Sequence, residues 1–266
     1  MYYYLYDTFL NDKRFDRTID KIKEKLLELD INGKHIRLSL LKRIEEIIDD
    51  ETKRGIKTLV IVGNDSSFLK VIDPVVRNGL TLGFIPVGQN NHIAPLLGIG
   101  ENDEACEAIA ARKLVEVDIG DANGQFFFSN VKMSKSVSRL LIEHGNFKIM
   151  PTNNCKEVCI YNFYYPMKKD KDILPELDKI DAQDKKLDLV AKSQSQGRAG
   201  ILKIFSGKRE IRADTFVERD EFMVKSYEYL PLVLDNYRVI KTPAKIKIAD
   251  TKLKLIVGKN RSKLLK

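Results

Sequence analysis

Residues 58–97 read TLVIVGNDSSFLKVIDPVVRNGLTLGFIPVGQNNHIAPLL, and their pattern indicates the class of fold. Two apolar runs, 58–62 and 82–85, each lead into a polar loop and then into apolar residues at helical spacing. Continuous β-branched runs are typical of strands that are covered on both faces. The stretch therefore predicts two parallel strands with polar loops at their carboxyl ends, where open α/β sheets bind ligands.

The preceding residues predict the same alternation of strands and helices. A strand is expected at residues 2–6, and a helix at 16–30 with Asp16 as its N-cap and Asn32–Gly33 as its end. A second strand is expected at 35–38, and Leu41, Ile44, Ile47 and Ile48 provide the apolar stripe of a second helix. This order predicts an α/β fold with an N-terminal, Rossmann-like parallel sheet.

The pattern changes near residue 113, so we expect two domains, 1–112 and 113–266. A turn at Asp121–Gly124 leads to a returning strand at 126–128. The charge-rich stretch 168–192 is interpreted as a solvated excursion. The second domain is expected to be an antiparallel β-sandwich. Its further strands are predicted at 158–163, 187–190, 201–205, 222–226, 238–240, 245–248 and 253–257.

Composition limits the classes of function. The chain has 266 residues, of which 43% are hydrophobic and 32% charged, and its formal net charge is +8. These values exclude a disulfide-dependent miniprotein and a disordered tail, and favour anionic partners such as nucleotides, nucleic acid or acidic lipid surfaces. The three cysteines, without a signal-like N-terminus, indicate a cytoplasmic protein. Cys155, Cys159 and His144 lack the further ligands of a zinc site.

The first polar loop is a candidate phosphate site. Gly63 and Asn64 provide backbone amides before a helix, Asp65 provides a carboxylate for Mg²⁺, and Ser66 and Ser67 provide hydroxyl donors for phosphate oxygens. The alternative is that Asp65 or Ser66 only caps the helix. The loop is not a Walker motif.

The second polar loop, residues 86–91, is predicted to face the same ligand. Gly88, Gln89 and Asn91 follow the neighbouring strand, so two amide-rich loops are expected to contact one nucleotide. The alternative is a plain turn, since Asn and Gly are common turn residues.

The two loops together resemble the catalytic domain of the diacylglycerol kinase and sphingosine kinase family. That family has a Gly-Gly-Asp-Gly-Thr loop followed by a Pro-x-Gly-Thr-x-Asn-Asp-x-Ala segment, which residues 63–67 and 86–94 resemble. Downstream, residues 123–127 are similar to its Asn-Gly-x-x-Phe segment and residues 184–188 to its Asp-Gly-x-Leu-Asp segment. Residues 235–237 stand where its Asp-Gly-Glu triplet is expected.

The resemblance implies a kinase that transfers phosphate from ATP, with Mg²⁺, to a lipid hydroxyl. It assigns catalytic roles to Asp65 and Asp235 and metal binding to Asp65 and Asp184. Because Lys185 replaces the Gly of the family segment, the alternative for Asp184 is a surface acid in a charge-rich loop. The nucleotide contacts it implies are Gly63, Asn64, Asp65, Ser66, Ser67, Gly88, Gln89 and Asn91.

Two departures from the family pattern support a different hypothesis. His92 replaces a family acid, and Tyr237 replaces the Glu that accepts the proton of the lipid hydroxyl. A phenol is a poor base at neutral pH. The alternative to an active kinase is therefore a catalytically impaired relative that binds a nucleotide or a lipid as a regulatory module.

The basic character is concentrated in the C-terminal segment 241–266, which has one acidic residue, Asp250. Lysines near an anionic bilayer each contribute about 1 kcal/mol to binding, which favours a peripheral contact with the inner face of a membrane. Nucleic-acid binding, a soluble acceptor and a purely solubilising role are the alternatives.

Overall fold

The computed structural model describes residues 2–39, 43–165, 180–194 and 211–261, which form two compact units. Unit 1 contains the described residues up to Ile119 and those from Ala249 onward, and unit 2 contains the described residues of Gly120–Ile248. The division expected after residue 112 differs because the first unit includes most of a strand that begins at Leu114, and because the chain returns to it near its end.

Unit 1 is built on a parallel sheet in which the strands lie in the order β2 (Gly33–Arg37), β1 (Tyr2–Tyr6), β3 (Thr58–Gly63) and β4 (Thr81–Pro86). The strands β3 and β4 are buried along their whole length, as the apolar runs predict. The predicted α/β class is confirmed. The elements are β1 (Tyr2–Tyr6), α1 (Asp16–Glu28), β2 (Gly33–Arg37), α2 (Ile44–Lys53), β3 (Thr58–Gly63), α3 (Asp65–Arg77), β4 (Thr81–Pro86), α4 (Ile93–Leu96), α5 (Asp103–Ala111) and β5 (Leu114–Ala122).

The helix α1 begins at residue 16 as expected, but its predicted N-cap and its predicted end were wrong. Phe15 is the N-cap residue, and Asp16 lies inside the first turn, where its charge favours the helix dipole. The helix ends before Asp30, which takes a left-handed conformation with φ of 54°. Asp tolerates this conformation because its short side chain bonds locally. Gly33 instead begins β2, where an added Cβ would lie 2.3 Å from the carbonyl oxygen of Tyr2.

Unit 2 contains two sheets, which include the first part of β16 and the end of β5. The predicted turn at Asp121–Gly124 is confirmed, since Asp121 pairs with Phe126. Residues 245–248 and 253–257 were predicted as separate strands, but one continuous strand, β16, spans this region. The strands are β6 (Gln125–Phe127), β7 (Asn130–Met133), β8 (Leu140–His144), β9 (Phe147–Ile149), β10 (Cys155–Tyr161), β11 (Leu187–Gln194), β12 (Ile211–Arg219), β13 (Glu221–Ser226), β14 (Pro231–Leu234), β15 (Arg238–Lys241) and β16 (Ala244–Ile256).

The two sheets of unit 2 share one apolar core, which confirms the predicted antiparallel β domain. One sheet has the order β12-β11-β10-β7-β14-β15, and the other contains β16, β13, β8 and β9. Val158 and Leu189 of the first sheet pack in the same cluster as Ile142 and Val224 of the second. Apolar side chains that alternate with polar ones along each strand thus fill the space between the two layers.

Three sequence-based predictions lie outside the described residues, wholly or in part. These are the strand at 201–205, the contribution of Leu41 to the second helix, and part of the charge-rich stretch 168–192.

Candidate functional site

The two predicted loops lie side by side at the carboxyl ends of β3 and β4. The amide of Val87 donates to the carbonyl oxygen of Gly63 at 2.7 Å, and the amide of Asp65 donates to that of Asn90 at 3.2 Å. These bonds continue the pairing of the two strands into the loops. The structure therefore brings together the residues that the sequence proposed as one site.

The Asp65 carboxylate holds the second loop. One oxygen accepts the amide of His92 at 2.8 Å and the other accepts the amide of Ile93 at 3.0 Å. Asp65 is buried, and this burial raises the pKa of its carboxyl, although the two amides oppose the shift. Asp65 thus binds the start of α4, a capping arrangement across two elements rather than within α3.

Asn64 and Ser67 form a capping box at the start of α3. The Asn64 side-chain oxygen, Oδ1, accepts the amide of Ser67 at 3.2 Å, and the Ser67 hydroxyl accepts the amide of Asn64 at 3.1 Å. Ser67 is fully buried, whereas Ser66 is exposed. Asn64 has a φ of −113°, so the backbone at this position is extended and not left-handed.

Glycine is required at two positions in these loops for different reasons. A Cβ at Gly63 would lie 2.3 Å from the Ser67 hydroxyl oxygen. Gly88 has a φ of 86°, and a Cβ there would meet the ring of Phe9 at 3.1 Å. The space beside the Gly63 backbone is thus occupied by the Ser67 side chain.

The second loop carries one buried acceptor that no group in the described part of the chain reaches. Gln89 is exposed, while the Asn91 amide nitrogen donates to the carbonyl oxygen of Gly88 at 3.0 Å. The Asn91 side-chain oxygen is buried and accepts no hydrogen bond within the described structure. A buried acceptor of this kind is stabilised by any donor that reaches it.

Sequence reasoning missed a buried acid at the same edge of the sheet. Asp7 follows β1, its amide donates to the carbonyl oxygen of Val62 at 3.1 Å, and its carboxylate accepts the Thr8 hydroxyl at 2.9 Å. Lys70 approaches the other carboxylate oxygen at 3.9 Å. An acid directly after a buried strand is the signal that would have identified it.

Asp235 lies in unit 2, where its carboxylate holds a neighbouring segment. It accepts the amides of Phe128 at 2.8 Å, Ser129 at 2.7 Å and Asn130 at 3.2 Å. Its own amide donates back to the carbonyl oxygen of Asn130 at 2.9 Å. Burial raises the pKa of Asp235 to about 6, against the opposing effect of the three amides.

Tyr237 follows in the same hairpin, between β14 and β15. Asp235 and Asn236 take left-handed conformations with φ of 48° and 61°, so residues 235–237 form a tight loop. Arg238 lies over the Tyr237 ring, with its guanidinium carbon 5.5 Å from the ring centre. The described side chains around Tyr237 thus include a cation, the kind of group that favours an aromatic ring face.

Asp184 was predicted as a metal ligand, and the structure places it at the start of a turn. One carboxylate oxygen accepts the amide of Lys186 at 2.9 Å. Burial, with Asp181 and Glu218 nearby, raises the pKa of Asp184. Among the described residues, no three His, Cys, Asp or Glu side chains are grouped to hold a metal ion. Asp65 and Asp184 stay predicted metal ligands, and Mg²⁺ stays an inference from the family resemblance.

Several lysines of the basic C-terminal segment have acidic partners. Lys245 pairs with Glu221 at 2.7 Å, and Lys252 pairs with Asp118, a buried acid, at 3.3 Å. Within the part of the chain that the structure describes, no helix is long and apolar enough to cross a membrane. The three cysteines are buried and free.

The fold and the paired loops define a class: an α/β protein with polar loops at adjacent strand ends and a separate antiparallel β unit. Residues 5–122 match the model of the diacylglycerol kinase catalytic domain, so the family resemblance is confirmed over this part of the chain. A comparison with curated proteins found no match.

Solved structures show the same fold along almost the whole chain. A diacylglycerol kinase from Bacillus anthracis strain Sterne has a TM-score of 0.71 at 15% identity, over 97% of each chain. Two candidate diacylglycerol kinases from the same strain are 17% identical, with TM-scores of 0.74 over 97% of each chain and 0.71 over 96% of this chain and 97% of that one. The chain therefore shares the fold of these solved structures.

Proposed function

We propose that this protein is a catalytically impaired relative of the diacylglycerol kinases that acts as a ligand-binding module. One observation carries the proposal: Asp65 and Asp235, the two acids singled out for catalysis, are buried and use both carboxylate oxygens on backbone amides. In these positions they stabilise loops of the protein.

Proton transfer argues against Asp235 as the base. A general base must come within about 3 Å of the hydroxyl that it deprotonates. Asp235 is 3% exposed, and its oxygens already accept three amides. Tyr237, at the position of the family's glutamate, supplies a phenol, which is a much weaker base than a carboxylate at neutral pH.

The backbone amides of the first loop also have acceptors within the protein, which argues against phosphate binding there. The amides of Asn64, Asp65, Ser67 and Phe68 each donate within the protein. Helix N-termini bind phosphate through amides that have no other partner. The start of α3 is thus a poor phosphate site in this conformation, and we expect weak nucleotide binding there.

An active lipid kinase is the second candidate, and the family match over residues 5–122 favours it. It would use ATP and Mg²⁺, with the acceptor drawn from an anionic membrane surface. Both candidates place the protein in the cytoplasm, with at most a peripheral membrane contact.

A kinase assay separates the two candidates. The protein is incubated with radiolabelled ATP, Mg²⁺ and diacylglycerol in mixed micelles, and phosphatidate is measured. We expect no product above background from the natural chain, and a measurable rate from a variant carrying His92→Asp and Tyr237→Glu. Loss of a general base commonly lowers a rate by about 10² to 10⁴. Restoring the acidic residues is therefore expected to raise the rate by at most the same factor.

A matched variant controls for the added negative charge. Tyr229, an exposed tyrosine, is changed to Glu together with His144→Asp, which adds the same groups outside the proposed site. This control is expected to stay inactive. Ordinary turnover by the natural chain would refute the impaired-kinase proposal and establish the second candidate.

A further inference from the structure

Unit 2 has a polar pocket on the outer face of its six-stranded sheet. Along β7, β10 and β11, Val131, Val158 and Leu189 point into the shared core. The residues beside them alternate to the opposite face, where β10 pairs Glu157 with Lys192 and Cys159 with Lys132. The pocket is about 130 Å³ in volume, and its lining includes Asn130, Lys132, Glu157, Tyr161, Lys192 and Asn236.

Two ammonium groups in this pocket share one carboxylate. Glu157 binds Lys132 through one oxygen and Lys192, at 3.2 Å, through the other. Burial raises the pKa of Glu157, but the two lysines outweigh it, so its pKa lies below the ordinary value and the carboxyl is ionised at neutral pH. The lining residues thus carry two positive charges against one negative charge.

The other polar groups of the pocket add donors and no negative charge. The Tyr161 hydroxyl lies 3.4 Å from the Lys192 ammonium. Burial raises the pKa of Tyr161 well above its usual range and that of Cys159 to about 12, so both stay protonated. Asn130 and Asn236 also line the pocket, and the Asn130 side-chain amide donates to the Ser129 hydroxyl at 2.9 Å. A cluster of donors with excess positive charge on partly buried side chains attracts an anion more strongly than an exposed lysine does.

We propose that this pocket binds a phosphate group, with Lys132 and Lys192 as its charge partners and Tyr161 as a hydroxyl donor. Lysine is a common phosphate ligand, and a phosphate offers several oxygens to donors on different walls of a pocket. The volume is about ten times what one water molecule needs, which leaves room for a phosphate and part of the group that carries it. A phosphomonoester in solution and a lipid phosphate headgroup share this chemistry. The proposal does not depend on whether the protein is a kinase.

Calorimetric titration of the full chain tests the proposal. The probes are inorganic phosphate, glycerol 3-phosphate and dihexanoyl phosphatidic acid, with glycerol as the uncharged control, at low ionic strength. We expect a dissociation constant below about 1 mM for at least one phosphate compound and no binding of glycerol. Tightest binding of phosphatidic acid indicates a lipid headgroup, and tightest binding of a water-soluble phosphate indicates a solute; either result supports the site.

Four variants assign the binding to this pocket. Lys192→Met is expected to weaken binding at least tenfold, Tyr161→Phe about fivefold, and Glu157→Gln to strengthen it about tenfold, because each changes one interaction with the anion. Lys156→Met, an exposed lysine on the same strand, is expected to bind within twofold of the natural chain. If circular dichroism shows that Lys192→Met does not fold, the binding measured for Tyr161→Phe and Glu157→Gln decides whether this pocket is the site. Absence of binding by both the natural chain and Glu157→Gln at about 10 mM, or unchanged binding by the pocket variants, would overturn the proposal.

Discussion

At the scale of single residues, buried acids decide how this protein is held together. Asp65 and Asp235 each sit in one segment and accept backbone amides of another that is distant in sequence. A carboxylate with two oxygens can satisfy several amides at once, and bonds to a charged acceptor are stronger than neutral ones. Each of these acids therefore holds a distant segment in place through hydrogen bonds to its backbone amides.

Replacing Asp65 with Ala should loosen the second loop. The amides of His92 and Ile93 would lose their acceptor, and a buried amide without a partner costs about 1–3 kcal/mol. We expect a loss of about 2–4 kcal/mol in the free energy of unfolding of unit 1. Hydrogen exchange at the amides of His92 and Ile93 should quicken.

Asp20→Ala is the control for this prediction, because Asp20 is exposed on α1. It is expected to leave both stability and exchange unchanged. Equal exchange rates at His92 and Ile93 in the natural chain and in Asp65→Ala would show that the carboxylate does not hold the loop.

Asp188 makes the stability of unit 2 depend on pH. Burial, then Asp184 and Glu218, raise its pKa to about 7, and it pairs across strands with Glu218. The folded state then binds a proton that the unfolded state has released, so stability falls as the pH rises from about 4 to about 7. We expect Asp188→Asn to flatten this dependence and to raise the melting temperature at pH 8 by a few degrees. Asp220→Asn, at a side chain that is 74% exposed, should reproduce the natural profile.

At the scale of elements, the region around α3 shows which features sequence patterns predict and which they do not. The buried runs of β3 and β4 and the polar loops after them were predicted correctly, because apolar runs of that length need cover on both faces. The helix α3 begins at Asp65, within the stretch that was predicted as a polar loop. Its cap is an Asn with a Ser three residues on, and this differs from the usual Ser or Thr followed by Glu.

The internal bonds of the loop were also beyond prediction. Residue types named Gly63 and Ser67 as phosphate contacts, but only coordinates show the Ser67 hydroxyl turned toward Asn64. The helix α5 was missed because its alanine-rich sequence gives a weak apolar stripe.

Ser67→Ala should destabilise unit 1 by about 1 kcal/mol, the usual cost of losing one half of a cap. Its hydroxyl accepts the amide of Asn64, and no water replaces it at a fully buried site. Ser66→Ala, one residue earlier and exposed, is the matched control and should change stability by less than about 0.5 kcal/mol. Thermal unfolding measures both. Equal melting temperatures would contradict the buried capping role.

At the scale of the whole molecule, the chain begins in unit 1, forms unit 2 and then returns to unit 1. The last part of β16 pairs in parallel with β4, which the chain formed much earlier. No periodic pattern specifies a partner so far away in sequence, and the prediction accordingly assigned all residues from 113 onward to one domain. The return explains why the C-terminal apolar residues Leu253, Leu255 and Ile256 are buried.

Leu255→Ala tests whether this returning strand stabilises unit 1. Leu255 is fully buried and pairs with Leu82 of β4, so the change leaves a cavity beside the parallel sheet and should cost about 2–5 kcal/mol. Lys254→Ala, the adjacent residue with a side chain that is 52% exposed, removes only a weak ion pair and should cost less than about 1 kcal/mol. Hydrogen exchange in β3 and β4 reports on unit 1 directly. We expect faster exchange there for Leu255→Ala and unchanged exchange in β10 and β11 of unit 2. Loss of protection in unit 2 alone would show that the returning strand stabilises the other unit, against the division of the chain described above.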